Sequence, residues 1–408
     1  MNIVIIGNSA AGINAVEEIR RHHKDDKIII ISKETEQPYS RVLLPYFLRG
    51  KLPNESQLFI RENNFYKKNN IEFINGEVIS LNSNEKTVYL SNGKEIVYNK
   101  LLISSGSRPF MPPIKGLELD NIYNMWTYED CKNLEKHFKK NNKVLVLGSG
   151  FVSLQAAWAA VVKGLDVTIY ELMPRIMGRV IDDYSASILK EKMIKFGVDV
   201  NLNISTTKIE ELRNGKLRVY SKNNDSIDVD FIIVGTGVKP NIEFLENTDI
   251  KVGKGILVDS HMKTSLEDVY AAGDVVEART AFGEKEIHAL WPTAVEQGKI
   301  AGKNIIGIEE DYCGSLNMNV TQMFDITVAS MGKFMNEKDK NVWKFDLGKL
   351  GVFKVVLDSN VPIGASLIGK SELVEYLGIL RPIIRRKKEL NCKKDDFFKH
   401  LRMEMEYI

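Results

Sequence analysis

Short apolar runs alternate with stretches of helical spacing at the start of the chain, and the same alternation returns near residue 143. Ile3–Ile6 is an unbroken β-branched run, the pattern of a strand buried on both faces of a parallel sheet. It ends at Gly7-Asn8-Ser9-Ala10-Ala11-Gly12, passes into a helical stretch from Ile13 to Arg21, and is followed by a second apolar run, Ile28–Ile31. The later copy reads Lys143–Leu147 as strand, Gly148-Ser149-Gly150-Phe151-Val152-Ser153 as turn and Leu154–Lys163 as an Ala-rich helix. Gly164 ends that helix and Asp166–Tyr170 forms the next strand. Further on, Gly351–Leu357 and Ile363–Ile368 flank Asp358-Ser359-Asn360, a β-hairpin pattern. The expected class is α/β, with two Rossmann-like dinucleotide-binding domains and a C-terminal α+β domain.

Strand, Gly-rich turn, helix, strand is the unit that cradles a dinucleotide pyrophosphate. Gly7 permits the tight turn, the small residues Ser9, Ala10 and Ala11 allow close backbone approach, and Gly12 lets helix and strand pack. The helix N-terminus then offers N–H groups and a positive dipole end to phosphate. Ser9 replaces the usual middle glycine here, and Ser153 the third glycine of the second copy, where Gly148, Gly150 and Val152 complete the turn. Glu171 follows Gly148 by 23 residues. An acidic residue near that spacing accepts hydrogen bonds from an adenosine ribose and repels a 2′-phosphate, which favours NADH, although Arg175 nearby tempers the preference. The alternative is a solvated strand-end carboxylate. In the first copy Ser32, Lys33 and Glu34 stand at this place, and either Ser32 or Glu34 suits the ribose.

Composition narrows the field. The 408 residues carry 56 Lys+Arg against 54 Asp+Glu, a net charge of +2 that argues against a nucleic-acid partner. The three cysteines, Cys131, Cys313 and Cys392, form no CxxC or CxxxxC, so a disulfide framework, an iron–sulfur cluster and a metal site are not expected. No apolar run approaches the ~18 residues of a membrane helix, the N-terminus carries no signal pattern, and the expected location is the cytoplasm. His22-His23 reads as surface, and Met173 and Met177 as loop packing.

Three further stretches resemble one superfamily. Leu101-Leu102-Ile103-Ser104-Ser105-Gly106-Ser107-Arg108-Pro109 resembles the strand and small-residue turn after the first domain half of two-dinucleotide flavoproteins. Phe231 to Asn241, with Gly235-Thr236-Gly237, resembles the return crossover from an NAD domain. Thr264 to Asp274, ending Ala271-Ala272-Gly273-Asp274, is similar to the second FAD fingerprint, in which the Asp caps the ribityl and pyrophosphate region. The chain is thus similar to the FAD-dependent pyridine nucleotide-disulfide oxidoreductases. Pro38 to Tyr46 resembles the branch of NADH:rubredoxin reductases, CoA-disulfide reductases, NADH oxidases and the FAD domain of assimilatory nitrite reductase. The likeness is strong over residues 1–310 and weaker over 311–408.

That resemblance implies an FAD domain of residues 1–112 and 238–310, an inserted NAD domain of 113–237, and an interface or dimerisation domain of 311–408. It implies FAD contacts at Arg41, Val78, Ser105, Gly106, Arg108, Gly273, Asp274, Pro292 and Thr293, beside those of the first turn. It adds Gly235, Thr236 and Gly237 to the NAD contacts. The helix entered at Pro292 would aim its N-terminus at the flavin. Phe151 stands where relatives place a gate over the flavin, or is a core residue. Gln155 stands where many relatives carry Glu.

The redox cysteine of the disulfide-reducing and peroxidase branches aligns with Val42. Valine offers no thiolate, so dithiol, CoA-disulfide and sulfenate chemistry are not expected. Cys131, in a polar helix, Cys313, and Cys392, in a charged C-terminal helix, read as passive thiols. The implied activity is NADH oxidation through FAD, with an external acceptor: rubredoxin, ferredoxin or a partner subunit, with either direction of flow open. A peroxide-forming NADH oxidase and an NADH-sensing flavoprotein are the alternatives, and a homodimer or hetero-complex is open. Residues 381–408 hold nine Lys/Arg against five Asp/Glu, either a solvated helix face or a docking surface for an acidic carrier.

Overall fold

The computed structural model describes residues 1–223, 225–334 and 341–405. Asn2–Ile6 is the central strand of a five-stranded sheet ordered Val269–Ala271, Lys100–Ile103, Asn2–Ile6, Lys27–Ser32, Ile71–Asn75. Its pairings are parallel, with Ile6 facing Ile31 on one side and Ile103 on the other. Ile3, Val4 and Ile5 are wholly buried, as the unbroken apolar run requires of a strand covered on both faces. Helices Ala10–His22 and Trp291–Ile305 contribute to the same core. They approach at backbone contact: a Cβ on Gly298 would fall 2.2 Å from the Ala11 carbonyl oxygen.

The second parallel sheet repeats the design in the order Asp199–Leu202, Asp166–Glu171, Lys143–Leu147, Phe231–Val234, Ile122–Tyr123. Lys143–Leu147 pairs with both neighbours in parallel, and Val144, Leu145 and Val146 are wholly buried. Two Rossmann-like folds are therefore present, and the class is α/β.

The chain packs as two units. One comprises Met1–Leu43, Leu52–Arg108 and Val238–Leu316; the other comprises Leu44–Lys51, Pro109–Gly237 and Asn317–Ile408. Each holds one parallel sheet. Leu44–Lys51 belongs to the second unit, where Phe47 packs edge-on against Tyr128 with ring centroids 5.5 Å apart. The second unit also contains an antiparallel sheet ordered Met318–Met323, Ile326–Gly332, Val361–Gly369, Gly351–Asp358, Val342–Asp346. The expected hairpin is its Gly351–Asp358/Val361–Gly369 pair, turning through Ser359 at φ +57°. Helix Val374–Arg385 packs on this sheet, burying Tyr376, Leu377, Leu380 and Ile384.

Two local expectations change. Both Gly-rich turns enter their helices early, at Ala10 and not Ile13 and at Phe151 and not Leu154, because Ser9 and Gly150 take the extended N-cap conformation and the residues that follow are already helical. Cys392 is not helical. The basic run ends helix Val374–Arg385, Lys387 turns the chain at φ +51°, and the next helix begins at Phe397, so Cys392 lies in the connection. Arg386, Lys387 and Lys388 are exposed at that helix end, where positive charge complements the dipole.

Candidate functional site

Gly7 carries the turn of the first unit. Its φ is +111°, and a Cβ there would sit 2.1 Å from the Ser104 carbonyl oxygen, so only glycine fits. Its N–H donates to the Ile31 carbonyl at 2.8 Å, which anchors the turn to the neighbouring strand. Ser9 is the N-cap of helix Ala10–His22, yet no side chain caps the helix and its first turn holds no acid. The leading N–H groups are thus left for an anion, the service a pyrophosphate requires. Ala10 and Ala11 are buried behind the turn. Gly106 has open space where a Cβ would stand, so the backbone there admits close approach.

The residues after the second strand separate by role. Ser32 is buried, and its hydroxyl accepts from the Glu34 N–H at 3.2 Å, closing a local turn. Lys33 is exposed and paired with Glu77 at 2.9 Å. Glu34 accepts from the Tyr39 hydroxyl and from the Arg41 guanidinium, which lies 5.5 Å from the Tyr39 ring centroid. Val78 begins the strand Val78–Asn82 and packs half-buried against the core.

Asp274 is half-buried. The Ser107 hydroxyl donates to its carboxylate at 3.0 Å, and burial pushes the carboxyl above the usual range, partly opposed by Ser107 and the charge of Arg41. Beside it the Gly273 N–H donates to Gln297 Oε1 at 2.9 Å. Helix Trp291–Ile305 starts with Pro292 in its first turn, has no side-chain cap and no first-turn acid, and buries Thr293. Ser105 exchanges hydrogen bonds with Asn241: its hydroxyl donates to the Asn241 carbonyl at 2.9 Å, and Asn241 Nδ2 donates to the Ser105 carbonyl at 2.8 Å. Arg108 is engaged by the crossover, donating to Asn241 Oδ1 at 2.9 Å and pairing with Glu243. The guanidinium holds the Glu243 carboxyl down at about 2.

In the second unit Gly148 turns at φ +97° and donates to the Tyr170 carbonyl at 2.8 Å. Ser153, in place of a third glycine, is wholly buried and donates to the Gly235 carbonyl at 2.7 Å, so a hydroxyl makes the helix–strand contact. Helix Phe151–Val162 again starts without side-chain cap or first-turn acid, and no atom would meet a Cβ on Gly150 within 4 Å. Phe151 is half-buried and Val152 exposed at this helix start. Glu171 accepts from Ser149 Oγ at 2.5 Å and from the Met173 N–H at 2.7 Å. Thr236 donates to the Phe110 carbonyl at 2.6 Å, and Gly237 turns at φ +111° beside open space. Gln155 is buried; its amide donates to Thr321 and to the Gln322 carbonyl at 3.0 Å, and Oε1 has no partner among the described residues. The neutral amide thus ties the helix to the strand Met318–Met323.

Both turns fit a dinucleotide. Each presents an uncapped helix end, a backbone cleared of side chains and an acid after the following strand. Tyr39, Ser107, Gln297 and Ser149 were not read as site residues from sequence. Ser149 stands between Gly148 and Gly150, Ser107 in the small-residue turn and Tyr39 in the Pro38–Tyr46 stretch, whereas Gln297 carries no such signal. The cysteines lie on other elements: Cys131 is buried in helix Tyr128–Glu135, Cys313 is exposed and Cys392 half-buried in loops. Val42 is 57% exposed. Among the described residues no cluster of metal-ligating side chains is found, and no helix is long and apolar enough to cross a membrane.

Residues 1–298 match the family model described as pyridine nucleotide-disulphide oxidoreductase, and the chain belongs to that family. It is 34% identical over 342 residues to an "NADH oxidase" of Methanocaldococcus jannaschii, covering 81% of this chain and 76% of the relative. It is 28% identical to the "NADH-dependent phenylglyoxylate dehydrogenase subunit epsilon" of Aromatoleum evansii, covering 97% and 94%. The solved structure of NADH:rubredoxin oxidoreductase from Clostridium acetobutylicum is similar at TM-score 0.79 and 26% identity, covering 98% of this chain and 99% of that one.

Proposed function

We propose that the protein is an FAD-dependent NADH oxidoreductase that passes electrons to an acceptor outside the chain, a small iron–sulfur protein such as rubredoxin or ferredoxin, or a partner subunit. The observation that carries this reading is the pair of Gly-rich cradles in a chain with valine at position 42. FAD, when bound, supplies the chemistry that converts a hydride donor's two electrons into electrons for such an acceptor. Gly7, Ser9 to Gly12, Gly273 and Asp274 hold it, with Glu34 at the adenosine ribose. Glu34 is the better ribose ligand than Ser32, whose hydroxyl is buried and used locally. Gly148, Gly150 and Glu171 hold NADH. The named activities of the rubredoxin reductase and of the dehydrogenase subunit support an external acceptor.

The 34% identity to a protein named NADH oxidase favours a second reading, in which NADH, O₂ and a proton give NAD⁺ and hydrogen peroxide. Stopped-flow oxidation of the NADH-reduced protein separates the two. Reoxidation by two equivalents of oxidised rubredoxin, a one-electron acceptor, at least tenfold faster than by air-saturated buffer supports the carrier reading. Equal rates, with stoichiometric peroxide, overturn it.

A further inference from the structure

We propose that Asp183 enforces the preference for NADH over NADPH by engaging Arg175, the cation nearest in sequence to the ribose-binding carboxylate; this rests on Gly148–Gly150 and Glu171 forming the adenosine site. Enzymes that take NADP place an arginine near this strand end to meet the 2′-phosphate. Arg175, four residues beyond Glu171, has the right chemistry and is committed elsewhere. One terminal nitrogen donates to Asp183 Oδ1 at 2.8 Å and the other to the Gly178 carbonyl at 2.8 Å. The guanidinium carbon lies 5.9 Å from the Phe334 ring centroid.

The loop that carries Arg175 is pinned along its length. The Met173 N–H donates to Glu171, and the Met177 N–H donates to Ser149 Oγ at 3.2 Å. Ser149 Oγ in turn donates to Glu171, so one hydroxyl couples the Gly-rich turn, the acid and the loop. Asp182, at the far end, caps helix Asp183–Lys195 by accepting from the Ser185 N–H at 2.8 Å and pairs with the buried Lys354. Glu171 has no ion-pair partner among the described residues. A ribose hydroxyl meets an oriented carboxylate, whereas a 2′-phosphate meets the same negative charge while both terminal nitrogens of Arg175, four residues on, are already engaged. Arg179, the next cation, is exposed and lines a cleft with Asn319, Lys333 and Ser366 of the antiparallel sheet.

Asp183 is the residue to change, because its side chain is 83% exposed and its loss leaves the Asp182 cap in place. The flavin-loaded protein is titrated calorimetrically with AMP and with adenosine 2′,5′-bisphosphate, which differ only by the 2′-phosphate. Asp183→Ala is expected to tighten the bisphosphate about tenfold, the worth of one charge-assisted contact, with AMP unchanged. Asp183→Asn, which keeps an acceptor without charge, gives a smaller gain in the same direction. The gain vanishes in Asp183→Ala/Arg175→Ala and survives Arg179→Ala. An unchanged bisphosphate affinity in Asp183→Ala, or a gain that persists without Arg175, overturns the proposal while leaving the adenosine site standing. Failure of the unaltered protein to bind AMP removes the adenosine site itself, and the proposal with it.

Discussion

Asp274 shows how its surroundings shift a carboxyl group. Its carboxyl, which accepts from Ser107, is pushed above the 3.8 of a free aspartate by desolvation. A raised folded-state value means that stability is greatest below about 3.8 and is lost as the pH rises through the folded value. Asp274→Asn in flavin-free protein is therefore expected to melt higher than the unaltered chain at pH 7. The advantage shrinks below pH 4, and a lower melting temperature at pH 7 contradicts the assignment. The same variant is expected to lose flavin on gel filtration. Features that follow from backbone shape were legible: the tight turns at Gly7 and Gly148 announce themselves. Ser107 on Asp274 and Gln297 on Gly273 were not, because each joins segments distant in sequence, and no periodicity encodes that meeting; Tyr39 on Glu34 is local but depends on the path of an irregular loop.

At the scale of elements, strands were the best-read features, since wholly apolar runs have few alternatives to a covered parallel sheet. Helix ends were read less well. The glycine spacing puts Phe151 in the turn, although Gly150 already supplies the extended cap, and the charged stretch around Cys392 carries helical composition without a buried stripe to hold it in a helix. The pairing of helices Ala10–His22 and Trp291–Ile305 had no sequence signal beyond two glycines, Gly298 and Gly302, one turn apart. Gly298→Val places a Cβ 2.2 Å from the Ala11 carbonyl oxygen, where only backbone can move, at a cost of roughly 1–3 kcal/mol or more. The expected outcome is a protein purified with less than half the flavin of the unaltered chain, read from its flavin-to-protein absorbance ratio. Gly378→Ala is the opposing case: the position is exposed, within helix Val374–Arg385, and nothing lies within 4 Å of the added Cβ. It is expected to raise stability by up to about 1 kcal/mol in denaturant melts.

For the whole molecule, the order of segments explains why two units emerge from one chain. The second parallel sheet is inserted between Arg108 and Val238, and the first resumes at the strand Val269–Ala271. The repeated Gly-rich turns revealed both sheets in the sequence; the grouping of Leu44–Lys51 and of the C-terminal sheet with the second unit depends on tertiary packing and was not visible. An electron path without a protein thiol predicts that Cys131→Ser/Cys313→Ser/Cys392→Ser keeps its rate of flavin reduction by NADH within about twofold; buried Cys131 can be replaced by Ala if serine destabilises the helix. A tenfold loss in both replacements would place a cysteine in the path. The most direct test is an anaerobic titration of the flavin-loaded protein with NADH and, separately, NADPH, followed by the visible flavin absorbance. The account predicts complete bleaching at one equivalent of NADH and far slower bleaching by NADPH. A flavin that stays oxidised with excess NADH, or a chain that binds no flavin, contradicts it.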